Sequence, residues 1–192
     1  MSNEWDEYAE GWDVDASVQE YAKRAFEQLL KVVELDGLSV FDFGCGTGQL
    51  SQLMSPSVKE IVALDGSPEM IKRLDQKGLS NVSTIADYLS QDLIDRNPQL
   101  SGGFDLIVAS SVCGFVPDYE ATLGLLKSLL RDGGVFVQWD WLSEDSEEGM
   151  SETRVRSALE SQGFVDVQIS TPFEMTSSKG SMTVLMATGN AA

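Results

Sequence analysis

Histidine is missing from this 192-residue chain. That removes the commonest general base, a frequent zinc ligand and any Ser-His-Asp mechanism. There are only two cysteines, Cys45 and Cys113, which form neither a disulfide framework nor a metal-ligand spacing, so no metal site is expected. Basic residues are scarce: 13 Lys and Arg stand against 31 Asp and Glu, for a net charge of −18. Such a surface repels phosphate backbones and anionic lipid at long range, so neither nucleic acid nor membrane is expected as a partner. Solubility is the plain reading of the charge, with a cationic substrate or a saline habitat as alternatives. No apolar run reaches the roughly 18 residues needed to cross a bilayer. The opening MSNEWDEYAEGWD has neither the basic start nor the apolar stretch of a signal peptide, so a cytoplasmic location is expected. No long exposed apolar face stands out from which to read an oligomeric state.

The length suits one domain over residues 1–192. From Asp15 to Glu34, apolar residues recur at helical spacing, and Asp36-Gly37 closes the stripe. Leu38 to Phe43 reads as a strand, followed by a glycine run and a helix over Gln49 to Met54. Glu60 to Leu64 is the second strand. Ser67-Pro68-Glu69 opens a helix with a cap and a proline at its first position. Val82 to Ala86 is the third strand, and Tyr88 to Arg96 a helix. Phe104 to Ala109 is apolar enough to be buried on both faces. A helix over Tyr119 to Leu130, a strand over Val135 to Trp139 and a Ser151-capped helix to Gln162 follow. Phe164 to Ile169 and Met182 to Ala187 form a last, antiparallel pair around a polar loop. Alternating strands and helices predict an α/β, three-layer, doubly wound and mostly parallel sheet.

The stretch VFDFGCGTGQL places three glycines in five positions between a strand and a helix. Such a turn gathers backbone N–H groups and a helix N-terminus around one small space. The dinucleotide fingerprint G-x-G-x-x-G fails, because Gln49 holds its third position; a P-loop fails for want of Lys-Ser/Thr. Asp65 ends the next strand about 20 residues on, where a carboxylate can accept both hydroxyls of a ribose. Asp87 ends the third strand. Carboxylates without cations fit an uncharged or cationic nucleoside, and S-adenosylmethionine (SAM) meets that description.

VFDFGCGTGQL, VALDGSPEMI, IADY, FDLIVASSVCGFVPD, LLRDGGVFV and RVRSALESQGFVDV together resemble the motifs of the class I SAM-dependent methyltransferases, over about Leu35 to Gly189. The resemblance implies a seven-stranded sheet of order 3-2-1-4-5-7-6 with the last strand antiparallel. It implies SAM as cofactor, S-adenosylhomocysteine as product and a small-molecule methyl acceptor as partner. Gly44, Cys45 and Gly46 would contact the methionine moiety, supported by Asp42, and Asp65 would bind the ribose. Gly66 and Met70 would pack near the adenine, Asp87 would accept from its amino group, and the Tyr88 backbone would lie beside it. Ser110 would offer its carbonyl to the ammonium. WDEYAEGW resembles the family's aromatic N-terminal segment, so residues 1–34 are expected as a helical cover. Tyr8, Trp12, Phe115, Trp139 and Trp141 are candidates for the acceptor pocket.

The chain departs from the family where many small-molecule members carry an acid or histidine after the fourth strand: here stands Cys113-Gly114-Phe115. The Asn/Asp-Pro-Pro-aromatic tetrad of nucleic-acid and protein amide methyltransferases is also absent. No catalytic residue is assigned; Tyr8, Tyr21, Asp140 and Glu144 are the possible bases. A non-catalytic SAM-binding subunit and a nicotinamide-dependent oxidoreductase are the alternative functions. For Cys45 and Cys113, two buried reduced thiols are the default and a redox-sensitive pair the alternative.

Overall fold

The computed structural model describes residues 4–145, 149–177 and 180–192. Its strands are β1 (Ser39–Phe43), β2 (Glu60–Asp65), β3 (Val82–Ala86), β4 (Phe104–Ser110), β5 (Leu130–Trp141), β6 (Phe164–Ser177) and β7 (Gly180–Ala191). They form one seven-stranded sheet in the order β3-β2-β1-β4-β5-β7-β6. β7 runs antiparallel to both its neighbours. The helices are α1 (Ala9–Trp12), α2 (Ala16–Val32), α3 (Gln49–Met54), α4 (Pro68–Gln76), α5 (Gln91–Arg96), α6 (Tyr119–Leu129) and α7 (Glu152–Ser161). By Cα proximity the chain falls into two compact units, Met1–Ser101 and Gly102–Ala192.

In the first unit, β1 and β2 bury nearly every side chain, as parallel strands covered on both faces must. α2 buries Tyr21, Ala22, Ala25 and Leu29, one stripe of its surface, and Asp15 caps it through the Ser17 N–H at 2.8 Å. α4 starts where Ser67 accepts from the Met70 N–H at 3.2 Å, with Pro68 at the first position. In the second unit, Asp118 and Ser151 cap α6 and α7 in the same way.

Three elements differ from the sequence reading. β5 starts at Leu130 rather than Val135, because Leu130 pairs with Phe104 before a register shift. Left-handed Gly133 lies inside the strand instead of ahead of it. The terminal hairpin is longer than its apolar stretches: Phe173, Glu174, Met175 and Thr176 pair with Val184, Thr183, Met182 and Ser181. The supposed polar loop is therefore ladder, with only Phe173 and Val184 buried there. Residues 178–179, at its centre, lie outside the described residues, as do 146–148 after β5 and 1–3. The helix expected from Tyr88 begins instead at Gln91, behind a Ser90 cap.

The glycine run has a backbone reason of its own. Gly44, Gly46 and Gly48 all take left-handed φ angles, of 69°, 53° and 76°. At Gly48 a methyl group would also overlap the buried side chain of Leu74 on α4. Gly48→Ala is therefore expected to cost roughly 2–4 kcal/mol in urea unfolding, from backbone strain plus overpacking. A cost below about 0.5 kcal/mol, the range of an ordinary surface change, would contradict this packing.

Candidate functional site

The glycine loop closes onto the end of β2. Gly44 and Cys45 donate their N–H groups to the Leu64 carbonyl at 2.8 and 3.0 Å, and the Asp65 carboxylate accepts from the Gly46 N–H at 2.8 Å. Asp65 also accepts from the Ser67 N–H at 2.8 Å, so one carboxylate spans the loop and the start of α4. Burial pushes its carboxyl above the usual range, with those two N–H groups pulling the other way and Asp6 adding repulsion. Below it, Asp42 is fully buried and accepts from the Ser51 hydroxyl at 2.6 Å. Burial raises Asp42 to about 7, opposed by Ser51 and reinforced by Asp65.

At the end of β3, Asp87 accepts from the Tyr88 N–H at 2.8 Å and pairs with Arg96 of α5 at 2.5 Å. Tyr88 is exposed, yet its ring covers Gly66: a methyl group there would fall 2.5 Å from it. Met70 is buried in the core face of α4.

The N-terminal segment lies on this loop. Trp5 meets Trp12 edge-on at 6.2 Å and Tyr8 at 5.9 Å. The Trp12 indole nitrogen is 3.5 Å from where a Gly46 methyl would sit. Two aspartates hold the segment down. Asp6 accepts from the Ser67 hydroxyl at 2.5 Å. Asp13 accepts from the Thr47 hydroxyl at 2.5 Å, the Gln49 amide at 2.7 Å and the Lys77 ammonium at 3.3 Å.

In the second unit, β4 ends at Ser110, and Ser111 turns out of the strand with a left-handed φ of 56°, its N–H on the Trp139 carbonyl at 2.7 Å. Left-handed backbone in a non-glycine residue is strain of the sort that gathers at functional sites. Cys113 is buried and Phe115 exposed in the turn that follows. Asp140 Oδ1 accepts from the Gly114 N–H at 3.1 Å and Oδ2 from the Gln138 amide at 3.0 Å; Gln138 in turn accepts from the Tyr119 hydroxyl at 2.5 Å. Burial raises Asp140 to about 7 against these hydrogen bonds. Trp139 is fully buried, and its indole N–H has no hydrogen-bond partner among the described residues. Trp141 is half-buried. Of the four possible bases, Tyr8 and Glu144 are exposed and Tyr21 is buried. Asp140 has a suitable pKa, but both its oxygens are engaged and it is buried. Among the described residues, no group of acids or cysteines could hold a metal ion, and no helix is long and apolar enough to cross a membrane.

A family model described as a methyltransferase domain matches residues 14–171. The chain belongs to this methyltransferase family. It is 33% identical over 102 residues to the ubiquinone biosynthesis O-methyltransferase of Xanthomonas oryzae pv. oryzae (strain PXO99A), covering 53% of this chain and 42% of that protein. The matched stretch spans about half the length of the curated relatives. The fold is similar to a chain of the complex between the Haloferax volcanii Trm112 methyltransferase activator and a methyltransferase: TM-score 0.77, 18% identity, covering 100% of this chain and 99% of that one. It is also similar to the N-methyltransferase NodS of Bradyrhizobium japonicum WM9 in complex with S-adenosylhomocysteine: TM-score 0.70, 20% identity, covering 94% and 91%. The sheet order is the one that the resemblance to the class I SAM-dependent methyltransferases implies.

Within the methyltransferase domain, both thiols are held in the neutral form. Burial pushes Cys45 well up, with Asp42 and Asp65 adding to it, and burial beside Asp140 does the same for Cys113. Cys113, fully buried, is not expected to react with iodoacetamide at pH 7 in the folded protein over an hour, and the half-buried Cys45, its thiol held neutral, only slowly. Rapid labelling of either, or a Cys45–Cys113 crosslink after mild oxidation, would favour the redox-sensitive pair. Asp6, Asp13, Thr47 and Lys77 had no sequence signal, because their partners are 34 to 64 residues away.

Proposed function

We propose that this domain binds SAM at the glycine loop and transfers its methyl group to a small-molecule acceptor, releasing S-adenosylhomocysteine, in the cytoplasm. The observation that carries the reading is the Gly46–Asp65 contact. It brings the strand-ending carboxylate that suits a ribose into hydrogen-bond reach of the loop that suits a close-lying backbone ligand. The donor set fits this cofactor. Asp65 accepts at the loop, and Lys77, the ammonium that Asp13 brings beside Thr47, is engaged by the Asp13 carboxylate, so a ligand with net positive charge is matched and a pyrophosphate is not. Family membership supports the same chemistry.

In this reading the backbone of Gly44, Cys45 and Gly46 takes the methionine moiety, over the buried Asp42. Asp65 exchanges its backbone donors for ribose hydroxyls. Gly66 and Met70 shape the adenine side, with the Tyr88 backbone beside it. Asp87 reaches the adenine amino group only by sharing or giving up Arg96. Ser110 offers its carbonyl to the ammonium. Tyr8 and Trp12 are the acceptor-side candidates of the cover, and Phe115 and Trp141 those of the turn after β4 and the end of β5. Trp139 is fully buried and does not reach the acceptor directly. SAM, when bound, supplies an already activated methyl group, so alignment by the cover and loop does most of what the protein must do. A carboxylate acceptor or a neutral amine needs no strong base, which suits a site whose buried acid has its oxygens occupied.

The test is release of S-adenosylhomocysteine from SAM across a panel of small phenols, amines and carboxylic acids. Turnover on one class supports the proposal and names the acceptor atom. SAM binding without turnover on any class favours the non-catalytic subunit.

A further inference from the structure

We propose that Asp13 is a positioning residue, a latch that fixes the N-terminal cover to the glycine loop and so sets how fast the cofactor leaves. The inference rests on the SAM reading above. Asp13 follows α1 and stands three residues before the start of α2, with the exposed Val14 and Asp15, the cap of α2, between. Its carboxylate gathers three donors from three places: Thr47 inside the glycine loop, Gln49 at the first position of α3, and Lys77 just past the end of α4. Burial works to raise this carboxyl, yet the Thr47 and Gln49 hydrogen bonds and the Lys77 charge hold it below the ordinary range, so the contact is with the ionised form.

Thr47 makes the latch more than a surface tie. It sits between Gly46 and Gly48 with no exposed surface, and its hydroxyl is satisfied by Asp13. Losing Asp13 leaves a buried hydroxyl in the loop without that acceptor, and it frees the segment whose Trp12 lies against Gly46. A ligand held by this loop is then less well fixed and less well covered. The second tie, Asp6 on Ser67, lies toward the ribose side and acts through α4 instead.

The experiment measures SAM and S-adenosylhomocysteine dissociation rates by stopped flow, reading tryptophan emission, for wild type, Asp13→Ala, Asp13→Asn and Lys77→Met. Asp13→Ala is expected to speed dissociation about tenfold or more. Asp13→Asn, whose amide oxygen still accepts from Thr47 or Gln49, should fall between. Lys77→Met should have the smaller effect of a partly exposed ion pair. Hydrogen exchange of residues 5–13, without ligand, should show protection in wild type that Asp13→Ala loses. A folded Asp13→Ala with a dissociation rate within twofold of wild type overturns the proposal, as does unchanged exchange protection. A merely structural role would lower the thermal midpoint while leaving dissociation alone. Should Asp13→Ala fail to fold, Asp13→Asn and Lys77→Met decide the matter by the same readings. Wild type that binds no SAM defeats the functional reading, while the exchange experiment still judges the latch.

Discussion

Asp65→Ala is expected to lose SAM affinity by roughly 100-fold, the equivalent of two charge-assisted hydrogen bonds to ribose at about 1.5 kcal/mol each. This carboxylate accepts from the Gly46 and Ser67 N–H groups, so its removal also loosens the loop that would hold the methionine end. The two losses act in the same direction. Asp65→Asn separates them, because one amide oxygen can still accept an N–H while the charge is gone; a loss nearer tenfold is expected there. Stability without ligand should change little by comparison, since burial works against the Asp65 charge. Titration calorimetry, with thermal unfolding in the absence of SAM, measures both. An Asp65→Ala protein that binds SAM within threefold of wild type would remove Asp65 from the site.

The second large effect is a pH dependence set by two buried carboxyls. Asp42 and Asp140 are each raised from 3.8 to about 7, chiefly by burial. An acid with a raised folded pKa keeps its proton when folded and gives it up when unfolded. Across the window from about 4 to 7 the unfolded chain therefore binds fewer protons, and stability falls as pH rises, levelling above 7. At about 1.4 kcal/mol per pKa unit, the ceiling is on the order of 4 kcal/mol per group. Asp140→Asn imitates the protonated acid: its N–H donates where the acid would, and the Gln138 amide can turn over to accept, with the Tyr119 hydroxyl then accepting from it. Urea unfolding at pH 5 and pH 8 should show wild type weaker at pH 8 and the difference reduced in Asp140→Asn. A wild-type stability that is flat or rising over this window would contradict the burial of both charges. SAM affinity should move the opposite way. A cationic ligand favours ionised Asp42 and Asp65, so binding should tighten between pH 5 and 8.

The fold was legible because its strongest signals are local. Apolar runs such as Phe104–Ala109, caps at Ser67 and Ser151, and a glycine run between a strand and a helix each report on a few neighbouring residues. The sheet order came from the resemblance and matches the structure. Asp65 is legible as a strand-ending acid about 20 residues beyond the glycine loop, and the structure sets it against that loop through the Gly46 N–H. What could not be read depends on contacts that no local pattern announces. Nothing near Asp13 shows that it meets Thr47 and Lys77, and nothing near Asp87 required its charge to be shared with Arg96. The length of the last hairpin was hidden because Glu174, Thr176 and Ser181 pair through their backbones, which hydropathy does not register. Its place at the strand end suggests Trp139 for the acceptor rim, whereas the structure buries it completely.

One measurement bears most directly on the function: calorimetric titration of the wild-type protein with SAM, S-adenosylhomocysteine and NADH under the same conditions. One-to-one binding of the two adenosyl ligands, with NADH inert, is the expected result. Heats from NADH alone, or none from either adenosyl ligand at millimolar concentration, would contradict the assignment of the glycine loop and Asp65 to SAM.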